Sequence, residues 1–401
     1  MALEIRPIVK EELEAFNRNV RIAFASPDEF KIDIPVEWTL CAFDDGKLAT
    51  SYMAWPLTMY FDTVTFPVAG VSMVGTLPVY RRSGYLRKLT GMHFSQLYEQ
   101  GERSIAALYA SMAAIYLRYG YGIVCTKHSY TFEPRHLRFA DTWQTTGQFR
   151  EAGDDETGLI LDLYHRFAAP RTGYLRRSEK FEVAPGAPLT ILALPPSQSP
   201  PLKVIYREDG EPQGYAIYSI ERGASPEAGQ RLMLRDLAWL TPHAYRALWE
   251  HFAAMDLVQD IVWGTVPPDD PLPHLLLEPR KLSVVANDGM LARIVDVKRA
   301  LTLRPYAGTA SLTFAVVDDF CPWNSGTWKL ETSPGGADCS RTDGEPQLTV
   351  PASTLAMLFF GQLGATQAAR MGRLDVNDAG ALGTWDTVMR TAYRPFCADI
   401  F

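Results

Sequence analysis

The chain has 401 residues, of which 47% are hydrophobic and 21% are charged, and its formal net charge is −7. The length predicts two or three domains, and the composition is typical of a globular enzyme or binding protein. The negative net charge argues against nucleic acid as the main partner, because binding to phosphates requires a basic face.

The first 140 residues alternate helical and strand patterns. Residues 11–24 have the apolar spacing of a helix, and residues 38–77 predict several strands. A helix beginning near residue 85 follows, and then a short buried strand at 104–111 and a second helical stretch. We predict an α/β (α+β) region built on a largely antiparallel sheet, with one prominent strand-to-helix junction.

The region after residue 140 repeats this alternation. Residues 204–221 predict a hairpin, and residues 231–255 predict a strand followed by an amphipathic helix. A Pro-rich stretch at 184–203 resembles a linker, but the strands on both sides of it are needed to complete one sheet. We therefore expect no domain boundary there.

A third region begins near Met290. It has three predicted strands and two predicted helices, at residues 311–319, 326–333, 347–351, 352–364 and 383–393.

The cellular setting is predicted from what the sequence lacks. No apolar run approaches the roughly 18 residues that a membrane span requires, and acidic residues stand where a signal peptide needs an apolar segment. The five cysteines include no C-x-x-C pair, and the histidines lack metal-ligand spacing. We expect a cytoplasmic protein without a metal, a disulfide framework or a membrane partner.

The junction between strand and helix carries the clearest chemistry. Arg81, Arg82 and Gly84 lie between the end of an apolar strand at Pro78 and the start of the helix. A helix N-terminus attracts anions, glycine permits close approach of the backbone, and arginine forks match phosphate oxygens. Taken alone, however, Arg-x-x-Gly is short, and a solvated basic helix start is the more common meaning of such a pattern.

Three separated motifs add a resemblance to a known family. The segments "RRSGYLRKL", "LYASMAAIYLRYGYG" and "PPDDPLPHLLLEPRKL", with the terminal Phe401, resemble the Eis-like (enhanced intracellular survival) GNAT N-acetyltransferases in order and spacing. Leu86 departs from the usual GNAT consensus, which has Gly or Ala at that position.

The resemblance implies tandem GNAT domains followed by a third domain. A catalytic GNAT domain would span residues 1–140, a degenerate GNAT-like domain 141–289 and a sterol-carrier-protein-like α/β domain 290–401, whose C-terminal tail returns to the active site. The equivalent turn of the second domain, residues 241–244, has neither an arginine fork nor a glycine, so we expect no acetyl-CoA there.

The same resemblance assigns catalytic roles. Acetyl-CoA would be the co-substrate, Tyr116 the general acid and the α-carboxylate of Phe401 the general base. The predicted cofactor-binding residues are Val74, Thr76, Arg81, Arg82, Gly84, Tyr85, Leu86 and Ser111. Ser111 also stands where it would cap the helix that follows.

The acceptor pocket is expected near the N-terminal helices. Its residues, by resemblance, are Phe24, Trp38, Ser72, Met73 and Tyr109. Members that acetylate polyamine antibiotics carry acidic groups and a histidine in this pocket; here Tyr109 stands at the histidine position, Ser26 at an acidic position, and Ile400 precedes the terminal Phe. The nearby acidic residues that would supply a negative field are Asp28, Glu29, Asp33 and Glu37.

We therefore expect an acetyl-CoA-dependent N-acetyltransferase that acts on a primary amine. The amine would belong to an amino sugar or aminoglycoside-like compound, an amino acid derivative or a lysine. The alternative is a catalytically inactive protein that binds a small apolar ligand in the third domain, and transfer of a longer acyl group is a further possibility. The resemblance also implies a homo-oligomer, either a trimer or a hexamer.

Overall fold

The computed structural model describes residues 3–26, 33–141, 143, 145–178, 199–223 and 229–401. Within these ranges the chain forms three β-sheets, of seven, seven and five strands. None of the helices in the described ranges is long and apolar enough to cross a membrane. Most of the Pro-rich stretch, Asp28 and Glu29 lie outside the described residues.

The strands in chain order are β1 Leu3–Arg6, β2 Cys41–Asp44, β3 Lys47–Phe61, β4 Val64–Thr76, β5 Ile105–Leu108, β6 Gly122–Ile123, β7 Thr126–Phe132, β8 Gln148–Glu151, β9 Leu202–Glu208, β10 Glu211–Arg222, β11 Gln230–Trp239, β12 Val258–Val266, β13 Ser283–Asp288, β14 Leu291–Ile294, β15 Ala310–Val317, β16 Gly326–Ser333, β17 Gly336–Arg341, β18 Leu348–Pro351 and β19 Asp375–Val376. The α-helices are α1 Leu13–Phe24, α2 Tyr85–Gln100, α3 Ala113–Leu117, α4 Thr157–Ala168, α5 Pro242–Ala253, α6 Leu272–Leu275, α7 Val297–Leu303, α8 Ala352–Phe360, α9 Ala365–Arg370 and α10 Gly380–Val388.

The first sheet has the strand order β1-β2-β3-β4-β5-β14-β6. Its pairs are antiparallel except for β4 and β5, which are parallel and connected through α2. The turn between β2 and β3 has positive φ angles at Asp45 (47°) and Gly46 (77°), as a two-residue hairpin turn requires. The predicted antiparallel sheet with one strand-to-helix junction is thus observed.

The second sheet repeats this arrangement. Its order is β13-β7-β12-β11-β10-β9-β8, and its one parallel pair, β11 and β12, is connected through α5. Strands β8 and β9, which lie on either side of the Pro-rich stretch, pair with each other. This pairing agrees with our placing no boundary there.

The sheets do not follow the predicted domain boundaries at residues 140 and 289. Strand β7, inside the predicted first domain, pairs in the second sheet, and β14, inside the predicted third domain, lies between β5 and β6 of the first sheet. The chain therefore crosses from the first sheet to the second after β6 and returns between β13 and β14. Hydrophobic pattern alone could not reveal this exchange, because each strand has the same apolar character in either sheet.

The third sheet, ordered β17-β16-β15-β18-β19, packs through α8 against the first sheet. Helix α8 is buried along almost its whole length, and a Cβ on Gly122 of β6 would lie 2.3 Å from the carbonyl oxygen of Ser353. The ring centroids of Phe359 and Phe360 lie 4.8 and 5.4 Å from that of Phe61 at the end of β3. The first and third parts of the chain therefore share one hydrophobic core.

A buried ion pair joins the first sheet to the third part of the chain. Arg293 of β14 is fully buried and donates hydrogen bonds to the Asp318 carboxylate and to the backbone carbonyl of Tyr119. Asp318 also accepts hydrogen bonds from Asn324 Nδ2 at 3.1 Å and from the backbone N–H of Cys321 at 3.0 Å. A buried charge requires such a set of partners, because its desolvation is otherwise uncompensated.

Replacing Asp318 with Ala should lower the free energy of unfolding by about 3–5 kcal/mol, because it leaves the Arg293 guanidinium buried and unpaired. Chemical denaturation followed by tryptophan fluorescence would measure the change. Asp319→Ala is the matched control, since Asp319 is exposed and its loss should change stability by less than about 0.5 kcal/mol. Equal effects of the two substitutions would contradict this role for the ion pair.

Candidate active site

The site is built on a bulge in β4. Ser51 pairs with Gly75 and Met53 pairs with Ser72, so Met73 and Val74 together oppose a single residue of β3. Met73 has φ of 52°, and its carbonyl oxygen accepts a hydrogen bond from Ser51 Oγ at 2.8 Å. A bulge of this kind bends a strand and re-aims its backbone groups.

Beyond the middle of β4, the two parallel strands separate. The β4–β5 ladder consists of three residue pairs and ends at Gly70 with Ala107. Residues 71–76 of β4 therefore continue without β5 alongside them, and all six line a cavity of about 1050 Å³. Backbone N–H and C=O groups on such an open edge need other partners, and an extended ligand can supply them.

The cavity brings together most of the predicted site residues. Eleven of them line it: Phe24, Ser72, Met73, Val74, Thr76, Arg81, Leu86, Tyr109, Ser111, Tyr116 and Phe401. Further parts of the wall come from the C-terminal end of α1, the segment from Tyr109 to Tyr116, the middle of β11, the end of β12 and the chain's last four residues.

The remaining four predicted residues are not among the described residues that line the cavity. Trp38 is partly buried and packs its ring edge-on against that of the core residue Trp55, with 5.8 Å between the centroids. Arg82, Gly84 and Tyr85 lie at the start of α2. Tyr85 donates a hydrogen bond to Asp44 Oδ2 at 2.7 Å, so its side chain anchors the junction to β2.

The start of α2 suits an anionic ligand. Gly84 is the N-cap in a left-handed conformation, with φ of 77°, and a Cβ there would have no atom within 4 Å. The first N–H groups of a helix have no partner within the helix, and this cap supplies no side-chain acceptor. Arg81 and Arg82 are exposed beside it, and Arg81 Nε donates to the carbonyl oxygen of Thr76 at 3.3 Å. These groups fit the pyrophosphate of acetyl-CoA.

Tyr116 lies on the short helix α3, and its side chain is partly buried. Desolvation by burial, with a smaller contribution from Tyr119, raises the pKa of its phenol to about 12. The hydroxyl therefore stays protonated throughout the neutral pH range. Its ring packs edge-on against that of Tyr121 at 5.9 Å, which holds it in place.

The predicted cap of α3 was wrong. The N-cap is Met112, which makes no side-chain capping bond, and Ser111 stands one residue before it. Ser111 is exposed and lines the cavity. The helix is only one turn long and begins one residue later than the sequence pattern indicated.

Phe401 is buried, with 6% of its surface exposed. Its ring lies edge-on against Tyr109, with 5.4 Å between the centroids, and a Cβ on Gly70 would come within 3.0 Å of its Cδ2 atom. The Tyr109 hydroxyl donates to the backbone carbonyl of Cys397 at 3.1 Å. Tyr109 therefore holds the C-terminal segment in addition to lining the cavity, and burial raises its pKa well above the usual value.

Three charged residues at the site were not identified from the sequence. Arg177, Asp236 and Asp399 all line the cavity, and each is less than 9% exposed. Arg177 contacts both carboxylates, although Asp399 lies 222 positions away in the chain. The only sequence signal was an aspartate in the otherwise apolar terminal segment "FCADIF".

Comparisons with known proteins agree with this architecture. The family model of the acetyltransferase (GNAT) domain matches residues 4–124, a second acetyltransferase (GNAT) domain model matches residues 173–294, and the sterol carrier protein domain model matches residues 297–398. An uncharacterized N-acetyltransferase of Streptomyces coelicolor is 31% identical over 330 residues, which is 78% of this chain and 76% of that protein. The N-acetyltransferase Eis of Mycobacterium tuberculosis is 29% identical over 352 residues, which cover 84% of this chain and 81% of Eis.

The chain belongs to the Eis-like GNAT N-acetyltransferase family. The crystal structure of Eis1 from Mycobacterium abscessus aligns with 99% of this chain and 100% of that chain, at a TM-score of 0.83 and 27% identity. A GCN5-related N-acetyltransferase from Anabaena variabilis aligns over the full length of both chains, with a TM-score of 0.87 at 21% identity, and shares the fold. The protein is therefore an acetyltransferase, and GNAT acetyltransferases use acetyl-CoA as co-substrate. No group of potential metal ligands is present in the part of the chain that the structure describes.

The second GNAT domain of this Eis-like protein differs from the first at the equivalent helix. Helix α5 starts with Pro242, which has no N–H to offer, and the N-cap Thr241 accepts a hydrogen bond from the N–H of Ala244 at 3.1 Å. The helix start thus satisfies part of its own hydrogen bonding, whereas that of α2 is open. This supports the prediction that the second domain binds no acetyl-CoA.

Gly70→Ala should destabilise the protein by about 1–3 kcal/mol through overpacking. The added Cβ would meet Leu57 Cδ1 at 2.4 Å and Phe401 Cδ2 at 3.0 Å, so the terminal ring must shift. Thermal or chemical unfolding would measure the loss. Gly91→Ala in α2 is the control, since its nearest contact would be Phe320 Cζ at 3.8 Å and Ala favours a helix by about 0.5–1 kcal/mol. A Gly70→Ala protein as stable as the Gly91→Ala protein would show that the packing around Phe401 is loose.

Proposed function

We propose that this acetyltransferase transfers the acetyl group of acetyl-CoA to a primary amine, which attacks the thioester directly through a tetrahedral intermediate. One observation carries the proposal. The open stretch of β4, the Tyr116 phenol and Phe401 line one cavity beside the unoccluded start of α2. Direct transfer needs these elements together, because it requires a site for the thioester, donors for the oxyanion and groups that move protons.

In this proposal the cofactor follows the open edge of β4. The pyrophosphate binds the first N–H groups of α2, with Arg81 and Arg82 as charged donors. The pantetheine arm then extends along residues 71–76, where β5 has already diverged. The thioester carbonyl lies near the bulge, and the backbone N–H groups of Val74 and Thr76 stabilise its negative charge in the transition state.

The proton of the amine passes to the terminal carboxylate of Phe401. An α-carboxyl has an ordinary pKa of about 3.5, so it is a weak base towards a free ammonium ion. Once the amine nitrogen has attacked the carbonyl, however, it carries a positive charge and its proton is far more acidic. The carboxylate therefore acts mainly on the tetrahedral intermediate, and its fixed position matters more than its basicity.

Tyr116 acts on the departing sulfur. Its pKa of about 12 lies above the roughly 8.5 of an ordinary thiol, so complete proton transfer to a free thiolate would be uphill. The phenol therefore serves first as a hydrogen-bond donor to the negative charge that develops on sulfur. As the C–S bond breaks, the phenol passes its proton to the sulfur while it takes up another from solvent, so that no free tyrosinate accumulates.

The lining of the cavity bears on the acceptor. Apolar side chains such as Phe24, Met233 and Ile400 form much of its wall. The two lining aspartates in the described part of the chain, Asp236 and Asp399, are both paired with Arg177. We therefore favour an amine on an apolar body, such as an amino acid derivative or a lysine, over a polycationic amino sugar. The trimeric or hexameric assembly remains a prediction from the family resemblance, and the cytoplasmic location remains a prediction from the sequence features described above.

The first test is release of thiol from acetyl-CoA across a panel of amines, which includes an aminoglycoside, an arylalkylamine, amino acid amides and a lysine peptide. The protein ending at Phe401 is compared with one that carries four extra residues after it. We expect release with at least one amine and a fall of about 100-fold or more in kcat on extension, the usual contribution of a positioned general base. Absence of release with every amine, while acetyl-CoA binds, would contradict the proposed acceptor class.

Tyr116→Phe should lower kcat by about 10²–10⁴-fold and leave the KM for acetyl-CoA nearly unchanged, because it removes a proton donor and little volume. Tyr119→Phe is the matched control, since Tyr119 packs against Phe320 with 4.9 Å between the ring centroids and is not placed in the mechanism. Replacing Arg81 and Arg82 with Gln should give the opposite pattern, a raised KM for acetyl-CoA. If Tyr116→Phe raised this KM as strongly as the arginine changes do, Tyr116 would be a packing residue.

A further inference from the structure

The second sheet contains a cleft of the same construction as the one that forms the active site. The parallel β11–β12 ladder ends at Leu234 with Trp263, just as the β4–β5 ladder ends at Gly70. Next to that end, Ile217 pairs with Asp236 and Tyr218 pairs with Leu234, so Arg235 is an extra residue in β11. Both sheets therefore have a strand that separates from its parallel neighbour and carries a bulge beyond the point of separation, three residues on in β4 and at the next residue in β11.

In the second sheet this cleft is filled by the chain's own C-terminal segment. Phe396 and Ala398 lie against residues on both diverging strands, among them Asp236, Trp263 and Thr265. The space left between them is about 10 Å³, which is at the lower limit for one water molecule. The cleft between β4 and β5 is open, whereas the cleft between β11 and β12 is occupied by the C-terminal segment.

Hydrogen bonds from backbone N–H groups hold the segment where it approaches the cleft. The N–H of Arg394 donates to Asp269 Oδ2 at 2.7 Å, and the N–H of Phe396 donates to the carbonyl oxygen of Thr172 at 3.0 Å. A Cβ on Gly173 would lie 2.7 Å from the carbonyl oxygen of Phe396, so a glycine is needed where the two backbones meet. These contacts fix the path of the segment up to the cleft.

A charged clamp follows at the far end of the cleft. Arg177 Nη1 donates to Asp236 Oδ2 at 2.5 Å and Arg177 Nε donates to Asp399 Oδ1 at 2.9 Å. The hydroxyl of Tyr215 donates to Asp236 Oδ2 at 2.7 Å, and that of Tyr164 donates to Asp399 Oδ2 at 3.2 Å. Two carboxylates thus share one guanidinium in a buried site, an arrangement in which the cation is needed to hold the anions together.

Arg177 itself is fixed to the catalytic domain. It follows a segment that pairs with the end of β3, where Met59 bridges to Leu175 and the N–H of Arg176 donates to Thr58 O at 2.8 Å. The guanidinium also lies over the ring of Tyr164, 3.7 Å from its centroid. The clamp therefore connects the tail to the same strand pair that carries the bulge of the active site.

We propose that the cleft of the degenerate second domain is a binding site for the chain's own C-terminal segment, residues 396–399, and that Arg177 is a positioning residue that acts through Asp399 on the carboxylate of Phe401. Only two residues follow Asp399, so the terminus reaches at most about 7 Å beyond the clamp. Fixing Asp399 therefore confines the carboxylate to the mouth of the catalytic cavity. This inference rests on the proposed role of Phe401 as base, but the docking of the peptide is testable without it.

The principal variant is Arg177→Gln, which leaves Asp236 and Asp399 close together without their cation. The matched control is Arg176→Gln, the same change at the neighbouring exposed position. Two readouts apply to the full-length protein: the steady-state constants, and the rate at which a carboxypeptidase releases Phe401 from the folded protein. Thermal unfolding of each variant accompanies both measurements.

We expect Arg177→Gln to speed release of Phe401 at least about tenfold, because loss of a shared cation makes two buried carboxylates repel each other. It should lower kcat at least about tenfold, by misplacing the base, with little change in the KM for acetyl-CoA. Arg176→Gln should match the unaltered protein in both respects. Asp399→Asn, added to Arg177→Gln, should restore part of the protection of Phe401 against carboxypeptidase and part of kcat. The second change removes the repulsion between the carboxylates of Asp236 and Asp399.

A second comparison separates this inference from the proposed function. Extension beyond Phe401 should lower kcat much less in the Arg177→Gln protein than in the unaltered one, because the carboxylate is already misplaced. Suppose that extension left kcat unchanged in both proteins, while Arg177→Gln still speeded the release of Phe401 by carboxypeptidase. The Phe401 carboxylate would then not be the general base, but the peptide site would stand. The peptide site would be overturned if Arg177→Gln left Phe401 as protected as Arg176→Gln does. A loss of kcat accompanied by an equal rise in the KM for acetyl-CoA would overturn the positioning role.

Discussion

The structure depends on one interruption of regular hydrogen bonding, the end of the β4–β5 ladder at Gly70. A parallel pair buried between helices normally continues until its strands end, because unpaired backbone groups in the interior are costly. Here β4 continues for six residues after β5 has diverged, and the bulge at Met73 turns its backbone towards a cavity. Every element of the site, from the open helix start to the terminal phenylalanine, is arranged around that exposed edge.

The second domain has the same interruption, and there we expect no cofactor to bind. Its strands diverge in the same way, yet its helix start is capped by Thr241 and its cleft contains the chain's own peptide. The strand edge that is open to a ligand in the first domain is covered in the second domain by the C-terminal segment. In our proposal, this duplicated architecture supplies one domain for binding acetyl-CoA and another for holding the peptide that ends at the same cavity.

The fold could be predicted well from the sequence because its signals are local. The Asp45-Gly46 turn, the apolar run of β4 and the helical spacing after Gly84 each identify an element without reference to distant residues. The exchange of β7 and β14 between sheets was missed, since pairing between strands far apart in sequence leaves no mark on either strand. The same reason hid the contacts of Arg177 with Asp236 and Asp399.

The site could be predicted in part through the resemblance to a family, which indicated eleven residues that line the cavity. Backbone donors such as those of Val74 carry no side-chain signature, and their position came from the motif alone. For Trp38 the resemblance indicates a pocket residue, whereas its partly buried ring packs against that of Trp55 and is not among the described side chains that line the cavity. Burial, which decides between the two roles, depends on the tertiary structure.

The position of β14 between β5 and β6 also governs how the protein can be made. Ile105 of β5 pairs with Ile294, so the first sheet has a gap in its interior until nearly three quarters of the chain has left the ribosome. Contacts of such long range are slow to form, and a sheet that awaits a middle strand exposes two edges in the meantime. The first sheet is therefore the first to be synthesised, yet it cannot be completed before β14 has emerged. During that interval its open edges are available for aggregation.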